Sequence, residues 1–552
     1  MAEKSLMRRA RNGRVRRGGT PGAAVLAGLL MLLSAGSLPA ASRAASAAPV
    51  VVRVTEGALA GVRQGRVDAF LGIPYAAPPV GANRWRAPQP APRWPGIRPA
   101  QKFAASCWQH MTPSGTGPWT HEYMPQGRAS EDCLYLNVWT SAPDSHHRLP
   151  VLVWVPGGGF VAGSGSAAVY NGAPLAAHGI VVVTINYRVG LLGFFVTPAL
   201  AAQAAREHEP PGNYGLQDII VALQWVHRNI AAFGGDPDAI TLGGQSAGAM
   251  AVHDLIVSPL ATGLFRRAIA QSGLPDTVPI PSLAEAEKAG EQFARSEGAT
   301  SLAALRALTP QQLAAHAPPG MKGPLLVPIA DGVLLPAAPE ALLIPGAFAD
   351  VPLLTGIDAD DASAFSGPIV KSMSEAAWKA LLDEKFGALA PRFASLYPAG
   401  TDAERARSAR QLHRDLGLAA LYAWDQKWSA HARSPVYGYL FDQLEPGTRA
   451  SRWGIFHSSE LPYVFGTFDA APQRHFTAVD RAISKRVMDY WVDFVKSGDP
   501  NGEGLPAWPA MVPGDPKVMV VAAAMQPRPV LPPRKLSAMQ AFIAAGGKPG
   551  IF

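Results

Sequence analysis

Charged side chains are scarce in this sequence. Only 16% of its 552 residues are Asp, Glu, Lys or Arg, whereas 48% are hydrophobic. A chain this apolar is not intrinsically disordered, and it is long enough to bury a sizeable core. Internal repeats are also missing, which excludes a repeat architecture. Pro and Gly, with 52 and 55 residues, are spread along the chain and favour a loop-rich globular protein.

The N-terminus contains no apolar run of the roughly 20 residues that a membrane-spanning helix needs. Residues 23–38 are apolar, a basic segment precedes them, and small residues follow at 40–45. This order predicts a cleaved signal peptide over residues 1–45, a mature domain over residues 46–552, and a secreted or periplasmic protein without a stable membrane anchor. A membrane anchor is the alternative, and two Arg pairs leave a twin-arginine export route open.

Most of the excess positive charge lies in the predicted signal peptide. The formal net charge is +8, and residues 1–20 alone contribute +6 through seven basic residues and Glu3. The remaining chain therefore carries a formal charge of only +2. A nearly neutral mature domain gives no reason to expect nucleic acid as a partner.

Cysteine is nearly absent. The two residues, Cys107 and Cys133, predict one disulfide in an exported protein, which in the chain-entropy model stabilises the fold by about 3–4 kcal/mol. Two unrelated buried thiols are the alternative.

Apolar runs of strand length alternate with segments of helical periodicity. Residues 149–155 and 180–185 are apolar throughout, as are strands covered on both faces, and residues 216–230 have helical spacing. Further strands are expected at 51–55, 61–70, 239–243, 267–271, 351–355, 436–441 and 518–522, and helices at 247–257 and, with proline breaks, over 277–350 and 366–435. The alternation predicts an α/β fold: one large domain with a mostly parallel sheet, helices on both faces and long insertions.

A G-x-S-x-G motif, residues 244–248, lies between the predicted strand at 239–243 and the predicted helix at 247–257. This strand–turn–helix context predicts a nucleophile elbow, in which Ser246 is the nucleophile and the Ala247 N–H points toward a developing oxyanion. The glycines fit because Cβ atoms would clash in so sharp a turn.

Three consecutive glycines, residues 157–159, follow the strand at 149–155. Their bare backbone N–H groups predict the second half of an oxyanion hole. The same residues also match a dinucleotide fingerprint. That motif requires an acidic residue about 20 positions later, and the next strand ends instead at Asn186 without a carboxylate.

Ser246 needs a base, and the base needs an orienting acid. The α/β-hydrolase order of serine, acid and histidine restricts the base to five of the 13 histidines. These candidates are His316, His413, His431, His457 and His475. The residues alone do not choose among them.

Ordered segments over about residues 50–510 resemble the type-B carboxylesterase/lipase family, which includes the cholinesterases. They are residues 70–76 (FLGIPYA), 130–138 (SEDCLYLNV), 186–188 (NYR), 212–218 (GNYGLQD), 233–237 (FGGDP), 271–273 (QSG), 457–461 (HSSEL) and 498–501 (GDPN). The family resemblance implies an α/β-hydrolase fold and a serine carboxylesterase that acts on small-molecule esters.

The resemblance also implies roles for individual residues. His457 is the base, Asp361 is the acid, and Gly158, Gly159 and Ala247 donate to the oxyanion. Two structural contacts are implied as well, namely the Cys107–Cys133 disulfide and an ion pair between Arg84 and Glu131.

The sequence departs from the family at three positions. Gln245 stands where Glu is usual, Pro156 where His or Tyr is frequent, and Asp361 where Glu is common. The first two side chains perform no chemical step. The third leaves Asp358 and Asp360 as alternative acids.

No motif for a metal or an organic cofactor occurs, and hydrolysis by this set of residues needs neither. Two other functions are compatible with the family: a non-catalytic binding protein, and an acyltransferase or thioesterase. The first typically lacks the nucleophile that is present here, and no carrier-binding element favours the second. Trp108, Met111, Trp119, Tyr123 and Met124 either line an apolar gorge or pack their own loop, and His110 and His121 are expected to be exposed.

Overall fold

The computed structural model describes residues 49–143, 148–275, 279–315, 326–367, 373–447 and 450–550. The predicted signal peptide at 1–45 lies outside these ranges. The strands of the described residues are β1 (Val51–Val54), β2 (Gly57–Ala60), β3 (Val62–Gln64), β4 (Val67–Pro74), β5 (Ile97–Pro99), β6 (Ser106–Cys107), β7 (Gly115–Thr116), β8 (Trp119–Thr120), β9 (Ala129–Ser130), β10 (Tyr135–Thr140), β11 (Leu149–Val155), β12 (Val181–Ile185), β13 (Gly235–Gln245), β14 (Arg267–Gln271), β15 (Leu353–Asp358), β16 (Val436–Phe441), β17 (Lys517–Val521) and β18 (Gln526–Pro529).

The α-helices of the same ranges are α1 (Ala173–Ala176), α2 (Leu191–Phe194), α3 (Pro198–Glu207), α4 (Tyr214–Asn229), α5 (Ala247–Ile256), α6 (Leu283–Ser296), α7 (Leu302–Ala307), α8 (Pro310–Ala315), α9 (Ser363–Ser366), α10 (Glu375–Phe386), α11 (Ala390–Leu396), α12 (Asp402–His431), α13 (Ala450–Trp453), α14 (Leu461–Phe465), α15 (Ala478–Ser497) and α16 (Pro533–Ala544). Helices α6–α8 and α10–α12 confirm the helical patterns predicted over 277–350 and 366–435.

An eleven-stranded sheet organises the domain, in the order β18-β17-β16-β15-β14-β13-β11-β12-β10-β4-β3. Neighbours from β12 through β11, β13, β14, β15 and β16 to β17 pair in parallel. The strands at both edges pair antiparallel. Strands β12, β15 and β16 are buried along their whole length, as strands covered on both faces must be. The predicted α/β fold with a mostly parallel sheet is confirmed.

Three central strands end close together at one edge of the sheet. Val155 of β11 pairs with Gly244 of β13, and Gln271 of β14 lies between Gln245 of β13 and Gly356 of β15. The loops that follow these strands therefore meet at the carboxyl ends of the parallel strands, where open α/β sheets bind their ligands.

The prediction of a single strand at 61–70 is wrong. The chain forms two strands there, β3 and β4, which pair as an antiparallel hairpin with Gln64 opposite Val67. Gly65 lies in the turn at a φ of +63°, a backbone conformation that glycine adopts without a steric penalty. The apolar pattern alone does not indicate this two-residue connection.

The predicted disulfide and ion pair are both present. Cys107 is bonded to Cys133, which closes the loop between them. Arg84 donates to both carboxylate oxygens of Glu131, at 2.7 and 2.5 Å, and also to the carbonyl oxygen of Leu308 at 2.5 Å. These contacts tie the loop to the rest of the domain. Among the described residues, no helix is both long and apolar enough to cross a membrane.

Candidate active site

Ser246 lies at the turn between β13 and α5, as the elbow motif predicts. Its φ is +59° and its ψ is −127°, a strained conformation for a residue with a Cβ. The turn is possible because its neighbours are glycines. A Cβ on Gly244 would lie 2.5 Å from the carbonyl carbon of Gly248, and a Cβ on Gly248 would lie 2.1 Å from the carbonyl oxygen of Val155.

Backbone hydrogen bonds hold the elbow. The Ser246 N–H donates to the carbonyl oxygen of Gln271 at 2.8 Å, and its carbonyl oxygen accepts from Met250 at 3.0 Å. The Ser246 residue is 8% exposed. The strain is thus stored in a buried turn that is anchored on both sides, a common property of functional sites.

The glycine loop after β11 lies against this elbow. A Cβ on Gly157 would lie 2.9 Å from the Cβ of Ser246, so the two backbones approach closely. Gly158 and Gly159 have φ values of +124° and +64°. Ala247 begins α5, where the backbone N–H groups of a helix have no intrahelical acceptor. The predicted oxyanion donors are therefore brought to the same side of the sheet as the serine.

The dinucleotide interpretation of this loop is wrong. That motif requires a helix to begin at the glycines, so that its N-terminus faces the pyrophosphate. Residues 156–167 form turns and bends here, and the next element is a single helical turn at Ala168–Tyr170.

The candidate base and acid are paired. The Nδ1 atom of His457 contacts Oδ1 of Asp361, and both side chains are buried. The other carboxylate oxygen of Asp361 accepts the N–H of Asp358 at 3.0 Å. Asp361 is thus fixed by its own loop while it holds the imidazole, an arrangement that leaves Nε2 as the ring nitrogen available for proton transfer.

The two alternative acids point elsewhere. Asp360 forms a bidentate pair with Arg410, with both distances 2.9 Å, and also accepts the N–H of Ile455 at 3.0 Å. Asp358 accepts the N–H groups of Ser458 and Ser459, at 2.9 and 3.1 Å. Of the three aspartates, Asp361 is the one whose carboxylate contacts His457.

Asp358 thus holds the segment that follows His457, and it also contacts a second carboxyl group. Its side chain hydrogen-bonds to Glu460, and both groups are buried. Burial and the neighbouring charge of Glu460 raise the pKa of Asp358 well above its usual value, and burial also raises the pKa of Glu460. Two carboxylates cannot both ionise in such a contact, so the pair retains a proton. Glu460 also accepts from the Gln271 amide at 2.8 Å.

Gln245 contributes a contact that the sequence did not reveal. Its Nε2 lies 3.1 Å from Nε2 of His457, so the residue before the serine contacts the ring nitrogen that faces the reaction. The family resemblance implies Glu at this position, so the chain has a neutral amide where a carboxylate is expected. The departure from the family was visible in the sequence, but the contact was not.

Aromatic residues of the 107–133 loop pack on the histidine segment. The Trp119 indole N–H donates to the carbonyl oxygen of His457 at 3.1 Å, and the Tyr123 hydroxyl donates to the carbonyl oxygen of Ser458 at the same distance. The ring of Phe365 lies edge-on to the imidazole, with 5.0 Å between centroids. Trp119 and Tyr123 therefore fix the segment that carries the base. His110 and His121 are exposed, as predicted.

Arg474 holds this loop in place. Its Nε donates to Glu122 at 2.6 Å, one terminal nitrogen donates to Thr120 at 2.8 Å and to the carbonyl oxygen of Pro118 at 3.1 Å, and the other contacts Glu445. Arg474, Glu122 and Glu445 are all buried. A buried charge is tolerated only when it is paired and hydrogen-bonded, and here both conditions are met.

No cluster of three or more His, Cys, Asp or Glu side chains with the geometry of a metal site occurs in the described part of the chain. The site as described consists of a strained buried serine, a histidine–aspartate pair and a glycine loop. The family model for the carboxylesterase family matches residues 48–530. The chain belongs to the carboxylesterase family.

Other members of the carboxylesterase family have similar sequences over most of their length. The chain is 36% identical over 511 residues to the fumonisin B1 esterase of Sphingopyxis macrogoltabida, which covers 88% of this chain and 89% of that enzyme. It is 34% identical over 520 residues to the cocaine esterase of Homo sapiens, with coverage of 88% and 89%.

Solved carboxylesterase structures have the same fold. A thermophilic PNB esterase matches with a TM-score of 0.74 and 32% identity, and a second PNB esterase with a TM-score of 0.73 and 31% identity. Each match covers 89% of this chain and 99% of the other. The resemblance found in the sequence is confirmed: the protein is a carboxylic ester hydrolase with an α/β-hydrolase fold.

Proposed function

We propose that this carboxylesterase cleaves esters through an acyl-enzyme intermediate, with Ser246 as nucleophile, His457 as base and Asp361 as the acid that orients the base. One observation carries the proposal: the Nδ1 atom of His457 contacts Asp361 on one side of the ring, and its Nε2 atom lies 3.1 Å from the side chain of Gln245, the residue next to Ser246. The Nε2 side of the imidazole is thus directed at the elbow.

The chemistry follows from this arrangement. Ser246 attacks the ester carbonyl while Nε2 of His457 removes the hydroxyl proton, and Asp361 stabilises the imidazolium that forms. The imidazolium then protonates the departing alcohol. Water repeats the sequence on the acyl-enzyme, which releases the carboxylic acid and restores the serine.

Three backbone N–H groups, those of Gly158, Gly159 and Ala247, are proposed to donate to the tetrahedral oxyanion. The support is the contact between the glycine loop and the elbow, together with the unpaired amides at the start of α5. Because these donors are part of the fixed backbone, they need no reorganisation when charge develops on the oxygen.

We also propose that the enzyme is exported and that residues 1–45 are removed. The Cys107–Cys133 disulfide supports this, since such bonds persist in oxidising compartments. N-terminal sequencing of the protein recovered outside the cytoplasm tests it, because a mature chain that still begins at residue 1 contradicts the proposal.

The test of the mechanism is to treat the mature enzyme with an organophosphate and identify the labelled peptide. We expect stoichiometric labelling on Ser246 and complete loss of ester hydrolysis. Ser246→Ala should lower kcat by about 10⁶, the loss seen when a triad nucleophile is removed from a serine protease.

Ser258→Ala is the matched control, since Ser258 is also buried and lies just beyond the other end of α5. It should keep the activity and the labelling of the parent. A label on any other residue, or an active and folded Ser246→Ala enzyme, contradicts the proposed mechanism.

A further inference from the structure

A cavity of about 260 Å³ lies along α5, beyond the nucleophile. Its walls are mainly apolar and include Phe160, Met250 and Leu274. Four polar or charged residues, His253, Asp254, Glu340 and Lys548, also line it. None of them has a part in the proposed mechanism.

The cavity begins beside the catalytic residues. Phe160 directly follows Gly159 of the glycine loop, and Met250 lies one turn after Ser246 and bonds to its carbonyl oxygen. Positions 246, 250, 253 and 254 lie on one side of α5, because position 250 follows 246 by four residues, and positions 253 and 254 follow 250 by three and four. With a rise of 1.5 Å per residue, the backbone of Asp254 lies about 12 Å along the helix from that of Ser246.

Asp254 and His253 are buried, at 3% and 1% exposure. Neither ring nitrogen of His253 has a hydrogen-bond partner, and within the described ranges no hydrogen bond or ion pair reaches the carboxyl group of Asp254. Trp424 packs edge-on against the imidazole with 4.8 Å between centroids. Buried polar groups are nearly always paired, so an unpaired buried imidazole next to a carboxyl group that lines the same cavity points to a polar ligand at this end.

Both side chains are neutral at pH 7. Burial raises the pKa of Asp254 to about 8 and lowers the pKa of His253 to about 3. Asp254 is then a carboxylic acid with an O–H donor and a carbonyl acceptor, and His253 offers a neutral imidazole. Glu340 and Lys548 give the lining charges of both signs, so neither a cation nor an anion is favoured there, whereas a neutral oxygen function satisfies Asp254 and His253 without burying charge.

We propose that this cavity binds a substrate chain that carries a neutral oxygen group, such as a hydroxyl or a carbonyl, which hydrogen-bonds to Asp254 and His253. The inference rests on the proposed function, since it assigns the substrate class of the same site. The ester lies at Ser246, the hydrocarbon part fills the space beside Phe160, Met250 and Leu274, and the oxygen reaches the polar end.

The experiment compares esters that differ only at the chain end. Ethyl ω-hydroxyoctanoate is paired with ethyl octanoate, and ω-hydroxyoctyl acetate with octyl acetate, so that the acyl and alcohol chains are tested separately. Hexyl and decyl homologues vary the length. The readout is the ratio of kcat/KM for the hydroxylated ester to that for its methyl-terminated partner.

Asp254→Leu should lower this ratio about tenfold in one of the two series, the effect of one lost neutral hydrogen bond to a substrate oxygen. The kcat/KM for the methyl-terminated esters is measured with the same variant and forms the denominator of this ratio. Asp254→Asn keeps a donor and an acceptor in the same shape and should restore most of the ratio. If Asp254→Leu does not fold, inhibition of the wild-type enzyme by octane-1,8-diol relative to octanol supplies the same comparison.

A ratio that Asp254→Leu leaves unchanged in both series overturns the inference, as does inhibition by the diol that is no stronger than by octanol. Either result leaves the catalytic proposal standing so long as the methyl-terminated esters are hydrolysed. Failure of the wild-type enzyme to hydrolyse any of these esters would instead count against the proposed function.

Discussion

Asp254 makes a specific prediction about stability and pH. Its pKa lies at about 8 in the folded enzyme and at the ordinary value of 3.8 when the chain is unfolded. The folded state therefore binds a proton that the unfolded state releases between these two values. The stability that comes from this proton is fully present below pH 4 and is lost as the pH rises to about 8. Asp254→Asn removes the titration and should flatten this part of the curve.

The size of the effect follows from the two pKa values. At pH 7 the unfolded carboxyl is about three pH units above its pKa, while the folded one is still protonated. At about 1.4 kcal/mol per unit, the wild type has lost about 4 kcal/mol relative to pH 4, and the variant has not. For a domain of about 500 residues this corresponds to a difference in Tm of roughly 4 °C.

The assay is the Tm of the wild type and of Asp254→Asn, measured at one scan rate from pH 4 to pH 8. The Tm of the variant minus that of the wild type should rise with pH by roughly 4 °C between pH 4 and pH 7. Every other titrating group cancels in this difference. Asp238→Asn, at an exposed aspartate, is the control and should run parallel to the wild type. Parallel curves for Asp254→Asn would refute the protonated, unpaired carboxyl.

The remaining predictions concern the triad acid and the cysteines. Asp361→Asn should lower kcat by about 10⁴ in a steady-state assay, if the serine-protease precedent for a wrong tautomer applies. The kcat of Asp360→Asn and of Asp358→Asn should stay within a few-fold of the wild-type value, for Asp358→Asn because Asn imitates a protonated Asp358. If Asp358→Asn instead loses its activity and Asp361→Asn keeps it, the assignment of the acid is reversed. Thiol titration of the unfolded, unreduced mature enzyme should detect no thiol from Cys107 or Cys133, and two titratable thiols would exclude the disulfide.

The sequence was sufficient where local chemistry determines the backbone. The elbow could be predicted because glycines at 244 and 248 are needed wherever a residue turns as sharply as Ser246 does. His457 needed the family resemblance, since nothing local distinguishes it from other histidines. The choice of Asp361 also came from the family resemblance, and the structure brings that aspartate, rather than a neighbour, to the imidazole.

Contacts between distant segments were not predictable. Gln245 and His457 are 212 positions apart, and their proximity depends on the path of the whole loop after β16. The sequence predicts a helix at 247–257, where α5 lies, and the structure buries this helix along its whole length. Whether Asp254 would be paired depended on neighbours from other segments. The proton that Asp358 and Glu460 share depends in the same way on how two loops pack against each other.

Arg474 limits which amino-acid substitutions this enzyme tolerates. It lies outside the proposed triad, yet its guanidinium holds the loop from which Trp119 contacts the segment that carries His457. The planar guanidinium reaches Glu122 with one nitrogen and Glu445 with another. Lysine would keep the charge, but its donors lie on a single nitrogen, which cannot reach both carboxylates. A substitution chosen as conservative by charge would thus leave a buried carboxylate without a partner. In a library of variants, such a position behaves like part of the active site although it touches no reacting atom.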